Sequence, residues 1–169
     1  MKRPSLEHIK TEIELAIQDV AASSTKPVLV IDQIDLLLAA TGDGVTGILL
    51  QKLLLDLREV QHSLHELPTW ADNIQKTHAT ILALAADEPL IHPQTTTLER
   101  EHAALILSLA HEAELVMSLR MLDTGRANDV SGVIRITPGG SHSESDVEEH
   151  EYLYLVGGDG AVKVFARGS

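Results

Sequence analysis

The sequence predicts an α/β fold in which a mostly parallel sheet is flanked by helices and ends in an antiparallel hairpin. Two short, almost wholly apolar runs, at 28–31 and 79–86, are typical of strands that are covered on both faces. Segments with helical spacing precede and separate these runs, and such alternation favours parallel crossover units. The last two apolar runs lie on either side of a Gly-Asp-Gly turn at 158–160, which indicates a hairpin.

The predicted elements follow in the order helix, strand, helix, strand, helix, strand and antiparallel end. Ser5 is the expected N-cap of the first helix, because the apolar residues after it follow the helical repeat: Leu6, Ile9, Ile13, Ala16, Ile17 and Val20. Thr96 and Glu99 have capping-box spacing, and the helix that they open is expected to run to about Ala113. Its inward candidates are Leu98, Leu105 and Leu109. The other predicted elements are a strand at 28–31 before Asp32, a helix at 45–60, a strand at 79–87 that ends on Asp87, strands at 114–122 and 131–137, and a hairpin within 152–168.

Two segments do not fit this alternation. Residues 62–76 contain the only Trp and a Pro, and they separate a helix from a strand where about 2–6 residues are usual. One interpretation is a surface insertion, and the other is that the segment is not part of the native protein. Residues 138–149 are predicted to form a flexible acidic loop. Residues 1–169 as a whole are expected to form one domain, because a chain of this length can bury a core.

Composition excludes several classes of function. The sequence has no cysteine, which excludes disulfides and thiolate metal sites. No run approaches the roughly 18 apolar residues of a membrane span, and the N-terminus is not a secretory signal. These features predict a cytoplasmic location, with the nucleus as an alternative. The formal net charge is −12, which disfavours nucleic-acid binding by the chain alone because Lys and Arg supply most of that affinity.

Asp32 follows an apolar strand, as does the carboxylate that holds magnesium in nucleotide-hydrolysing α/β proteins. That role requires a phosphate-binding loop of the form G-x-x-x-x-G-K-[ST], and the sequence has none. The nearest segments, GDGVTG at 42–47 and GGDGAVK at 157–163, do not place Gly-Lys-Ser/Thr before a helix. Asp32 is therefore interpreted as a structural or vestigial carboxylate, and no cofactor is predicted.

No catalytic or metal-binding set is evident. The segment HEAE at 111–114 lacks the second histidine of a zinc-protease motif, and Glu99 with His102 has no second carboxylate–histidine pair. The histidines are interpreted as solvated or helix-surface residues. Arg120, Arg126 and Arg135 lie around one strand end and loop. They indicate either a solvated edge or a contact patch for an anionic partner.

Three long phrases carry a resemblance to a known family. VLVIDQIDLLLAATGDG at 28–44, the stretch from LAADEPL to VIRIT at 84–137, and YLYLVGGDGAVKVFARG at 152–168 together resemble fungal Elongator complex protein 6. The resemblance implies a RecA-like fold that has lost its phosphate loop, with the strand before Asp32 in the place of the Walker B strand. It also implies a hetero-hexameric ring with Elongator proteins 4 and 5. The ring joins the remaining Elongator subunits, the complete complex modifies the wobble uridine of tRNA, and ring subunits of this kind bind tRNA.

The resemblance covers only the C-terminal part of the family pattern. Family members have a strand, phosphate-loop region and helix upstream of the first helix seen here. They lack an insertion at 62–76, which looks like a translated intron or a gene-model error. The expected function is that of a non-catalytic ring subunit. Two alternatives remain: a fragment of an active RecA-like ATPase, in which Asp32 would bind magnesium, and a small adaptor unconnected with tRNA.

Overall fold

A computed structural model gives the fold. It describes residues 5–21, 28–41, 44–63, 78–92, 94–122, 127, 129–140 and 147–166. The helices are α1 (Leu6–Ala21), α2 (Leu36–Thr41), α3 (Gly47–Ser63), α4 (Glu88–Ile91) and α5 (Thr97–Glu112). The strands are β1 (Val28–Asp32), β2 (Ala79–Ala83), β3 (Leu115–Arg120), β4 (Gly132–Pro138), β5 (His150–Val156) and β6 (Val162–Ala166). The mixed α/β class predicted from the sequence is confirmed.

The chain divides into two compact units, Met1–Ile106 and Leu107–Ser169, where the sequence predicts one domain. The first unit has the parallel strand pair and most of the helical residues, and the second has an antiparallel sheet. None of the helices in the described ranges is long and apolar enough to cross a membrane.

The helices of the first unit form its core because their leucines recur at helical spacing. The buried apolar side chains of this unit are Ile34, Leu38, Leu50, Leu53, Leu54, Leu57, Ala103, Leu105 and Ile106. At the start of α1, the Ser5 hydroxyl accepts a hydrogen bond from the His8 N–H at 3.3 Å, which confirms the predicted N-cap. Lys10 binds Asp56 at 3.0 Å, so an ion pair joins α1 to α3, and the hydrogen bond to Asp56 raises the pKa of Lys10.

The α5 helix begins with the capping box that the sequence predicts. The Thr96 hydroxyl accepts from the Glu99 N–H at 3.2 Å, and the Glu99 carboxylate accepts from the Thr96 N–H at 2.7 Å. Leu105 and Leu109 are buried as predicted, whereas Leu98 is 47% exposed, so its predicted inward position is wrong.

Strands β1 and β2 pair in parallel, with Val28 opposite Ala79 and Asp32 opposite Ala83. The predicted parallel pairing is confirmed, but the prediction that both strands are covered on both faces is wrong. Val28, Val30 and Ile81 share one face and are 48%, 60% and 47% exposed. No described element covers this face.

The sheet of the second unit corrects the prediction of a mostly parallel sheet. Its strand order is β3-β4-β5-β6, and all three neighbouring pairs are antiparallel. Residues 121–131 join β3 to β4, which suffices for antiparallel neighbours but is short for a crossover between parallel strands. The predicted hairpin of β5 and β6 is confirmed. Its turn is closed by a hydrogen bond from the Gly157 N–H to Ala161, and Gly160 has a φ of 81°, a value that favours glycine.

The two irregular segments lie largely outside the described residues. Helix α3 continues to Ser63, so residues 62 and 63 of the predicted insertion are helical, and 64–76 are not described. Of the predicted acidic loop at 138–149, residue 138 is the end of β4 and 141–146 are not described. The interpretation of both segments stays a prediction.

Candidate functional site

Asp32 lies at the carboxyl end of β1. Because β1 and β2 are parallel, their carboxyl ends meet at one edge of the pair, which is where ligands bind in open α/β sheets. Asp32 is exposed there. The next residue, Gln33, donates its N–H to the Ala83 carbonyl at 2.9 Å and has a φ of 52°. A non-glycine residue in this left-handed region costs on the order of 1–3 kcal/mol, and such strain is common next to functional positions.

The second predicted strand-end carboxylate does not join Asp32. Strand β2 ends at Ala83, and Asp87 is the N-cap residue of α4, four positions further on. The extended apolar run to Ala86 therefore belongs partly to a loop. Asp32 alone is a poor magnesium site, because magnesium is usually held by several oxygen ligands including those of phosphates.

Asp35 and His102 form a buried contact that the sequence interpretation missed. Asp35 Oδ2 lies 3.2 Å from His102 Nε2, and the two side chains are 5% and 12% exposed. The remaining polar atoms, Asp35 Oδ1 and His102 Nδ1, are also buried and have no hydrogen-bond partner among the described residues. The interpretation of the histidines as surface residues is therefore wrong for His102.

Glu101 makes a second contact from the same turn of α5. Its Oε2 accepts a hydrogen bond from the Gly47 N–H, the first residue of α3, at 3.0 Å. A carboxylate at this position satisfies one of the N–H groups that a helix leaves unpaired at its start. A Cβ atom at Gly47 would lie 3.2 Å from the Glu101 carbonyl oxygen, so the glycine allows α3 to approach α5 closely. Two consecutive residues of α5 thus hold two different elements, α3 and the turn before α2.

A carboxylate–imidazole pair can orient a histidine for proton transfer or for metal binding. For metal binding the set is incomplete, because the described part of the chain has no group of three or more metal-binding side chains. Glu99 and His102, which have the spacing of a metal-binding pair, bind different partners, since Glu99 caps α5 and His102 contacts Asp35. The arrangement is that of a buried polar link between elements.

The arginines of the predicted anionic contact patch are paired with glutamates. Arg120 lies 3.3 Å from Glu151, and Arg135 lies 3.1 Å from Glu149. The register, with Ser118 opposite Arg135, places both arginines on the same face of the second sheet. Arg126 lies outside the described residues. An anionic partner would have to compete with these glutamates, which are 31% and 58% exposed.

One signal in the sequence could have revealed the Asp35–His102 contact. His102 lies three residues before Leu105, a predicted inward residue of α5, and therefore falls on the buried stripe of that helix.

No protein-family model matches the sequence, and no curated protein matches it. A family and a function for the chain are therefore proposals.

Proposed function

We propose that the chain is a non-catalytic subunit of the Elongator complex. With Elongator proteins 4 and 5 it would form a hetero-hexameric, RecA-like ring. This ring would bind tRNA and support modification of the wobble uridine, U34. The expected location is the cytoplasm, with the nucleus as an alternative. The likeness of three long phrases to Elongator protein 6 supports the family. The open apolar face of β1 and β2 is the observation that supports an assembly role.

Parallel sheets are almost always covered on both faces, whereas the β1–β2 pair leaves one face open. Val28, Val30 and Ile81 are about half exposed on that face. Burying an aliphatic side chain completely yields about 1.5–3 kcal/mol, so covering these three would yield a few kcal/mol in total. That is enough to contribute to an interface but too little to form one alone, which suits a subunit held by several neighbours.

The parallel pair also supports a RecA-like arrangement. A strand that ends on an exposed carboxylate beside a parallel neighbour has the geometry expected of a Walker B strand. The phosphate-binding loop is missing from the sequence, so Asp32 has no bound triphosphate to serve within this chain. A structural part in a ring therefore fits these residues better than hydrolysis.

Co-purification with Elongator proteins 4 and 5 tests the proposal. The chain should co-elute with the two proteins as one complex in size-exclusion chromatography. Val30→Lys, on the open face, should weaken incorporation because it places a charge in the interface. Thr80→Lys is the matched control, since Thr80 is exposed on the opposite face of the same pair and should leave incorporation unchanged. Failure of the unaltered chain to join the complex would refute the proposal.

A further inference from the structure

The four-stranded sheet of the second unit has one face whose strand residues include no Asp, Glu, Lys or Arg. Side chains alternate along each strand, so the register assigns every residue to a face. The apolar face, as we name it, consists of Leu115, Met117, Leu119, Gly132, Ile134, Ile136, Pro138, His150, Tyr152, Tyr154, Val156, Val162, Val164 and Ala166. The charged residues of the strands, Arg120, Arg135, Glu151 and Lys163, project from the opposite face.

The apolar face is exposed at its two edge strands, β3 and β6. Leu119, Val162 and Val164 are 67%, 60% and 56% exposed. The rings of His150 and Tyr152 stack, with centroids 5.8 Å apart and planes 11° from parallel. The face therefore presents exposed aliphatic side chains together with one stacked ring pair.

The area of the apolar face matches that of the apolar centre of a protein–protein interface. Four strands about 4.8 Å apart and about six residues long cover roughly 300–400 Å². A standard protein interface covers about 800 Å² per partner, and its rim is polar. A partner that covers the apolar face would therefore extend over the ends of the strands as well.

Those ends are acidic. Glu114 directly precedes β3 and Glu148 lies two residues before β5; both strands begin at the same end of the sheet, and Asp129 and Asp159 lie at the other end. This border repels the phosphates of nucleic acid and of anionic lipid. It also opposes a second copy, which would bring the same carboxylates and a further formal net charge of −12. A complementary partner has an apolar centre and a border of Lys and Arg.

We propose that the apolar face binds such a surface on a different protein chain. This inference deepens the proposed assembly role and rests on it, but it adds the face and the chemistry of the partner. Photo-crosslinking from the full chain in fungal cells tests it. A photoreactive amino acid replaces Leu119 or Val164 on the apolar face. Ser118 and Lys163, their neighbours in the same strands on the opposite face, are the matched controls.

We expect crosslinks from positions 119 and 164, and not from 118 and 163, to an identified second protein whose contact peptides contain Lys or Arg. If that protein is Elongator protein 4 or 5, the proposed function is supported as well. If it is another protein, the inference stands, and co-purification with Elongator proteins 4 and 5 decides the proposed function separately. If proteins 4 or 5 crosslink only from 118 and 163, the proposed function stands and the inference is overturned.

Crosslinks from the apolar face to a second copy, to RNA or to lipid would overturn the inference, as would their absence at 119 and 164. The captured protein is then purified and titrated with variants. Leu119→Lys should weaken binding roughly 30-fold, the effect of a central interface residue, whereas Ser118→Lys should change it little. Glu148→Lys reverses a border charge and should weaken binding at low salt more than at high salt. A Leu119→Lys variant with unchanged affinity would contradict the proposal.

Discussion

Asp35 and His102 are the residues whose burial demands most from the surrounding structure. Each has one polar atom in their mutual contact and a second buried polar atom without a protein partner in the described chain. Removing one side chain leaves the other buried and unpaired. Removing both leaves an apolar site, which is often nearly neutral for stability.

We therefore expect His102→Leu and Asp35→Leu each to lower the free energy of unfolding by roughly 3 kcal/mol. This value is at the upper end of the cost of leaving a buried neutral polar group unpaired and at the lower end of the cost of leaving a buried charge unpaired. The double variant should be more stable than either single variant. Urea denaturation of all four proteins measures this, and a double variant with the summed loss would show that the two side chains act independently.

Glu99 makes the stability of the folded chain depend on pH in a known direction. Hydrogen bonds from the Thr96 N–H and then from the hydroxyl and N–H of Thr95 lower its pKa from the ordinary 4.5 to about 2. Because the pKa is lower in the folded state, the stabilisation is complete above pH 4.5 and is lost as the pH falls to about 2.

Glu99→Gln removes this titration but keeps a side-chain oxygen at the cap. We expect the stability of this variant to fall less steeply than that of the unaltered chain between pH 5 and pH 2, as measured by urea midpoints. Glu12→Gln, at an exposed position of α1, is the control and should keep the original slope. Equal slopes for the unaltered chain and Glu99→Gln would show that the carboxylate bonds add nothing to stability.

At the scale of elements, α5 is the organising helix of the first unit. Its capping box begins it, Glu101 binds the start of α3, and His102 binds the turn before α2. Helix α3 ends at Ser63, inside the insertion predicted at 62–76, and residues 64–77 lie outside the described part of the chain.

Replacement of residues 64–77 by a short Gly-Ser linker should leave the free energy of unfolding within about 0.5 kcal/mol of the original. A second variant with 14 Gly and Ser residues in place of the same 14 is the control for loop length, which by itself costs only about 0.6 kcal/mol per doubling. Thermal and urea denaturation measure both. A large loss in both variants would indicate that Leu67 or Trp70 belongs to a core.

The sequence predicts those elements that have a long repeat or a strong end signal. Helices α1, α3 and α5, the parallel pair and the last hairpin belong to this class. Helices α2 and α4 are only 6 and 4 residues long, too short for a helical repeat to be visible. Strand pairing and the open faces depend on distant parts of the chain, and so the mostly parallel sheet and the doubly covered strands were predicted wrongly.

At the scale of the whole molecule, the missing phosphate loop and Asp32 lead to one expectation about chemistry. The isolated chain should show no steady-state ATP hydrolysis, because its sequence lacks the motif that holds the triphosphate. Asp32→Ala is the control for contamination. Hydrolysis that persists through purification and disappears in this variant would favour the alternative of an ATPase fragment.

Charge sets the second expectation for the whole molecule. A formal net charge of −12 repels nucleic acid, and Arg120 and Arg135 are paired with glutamates. A ring subunit of this kind can take part in tRNA binding only when its neighbours supply positive surface. The assembly-dependent role therefore predicts that the isolated chain and the assembled ring differ in their affinity for tRNA.

That role is tested most directly by titrating tRNA with the isolated chain and, separately, with the ring. The ring is reconstituted from this chain and Elongator proteins 4 and 5. At physiological salt, gel-shift measurements should show negligible binding by the chain alone and clear binding by the ring. Tight, salt-sensitive binding of tRNA by the isolated chain, or a ring that forms and does not bind tRNA, would contradict it.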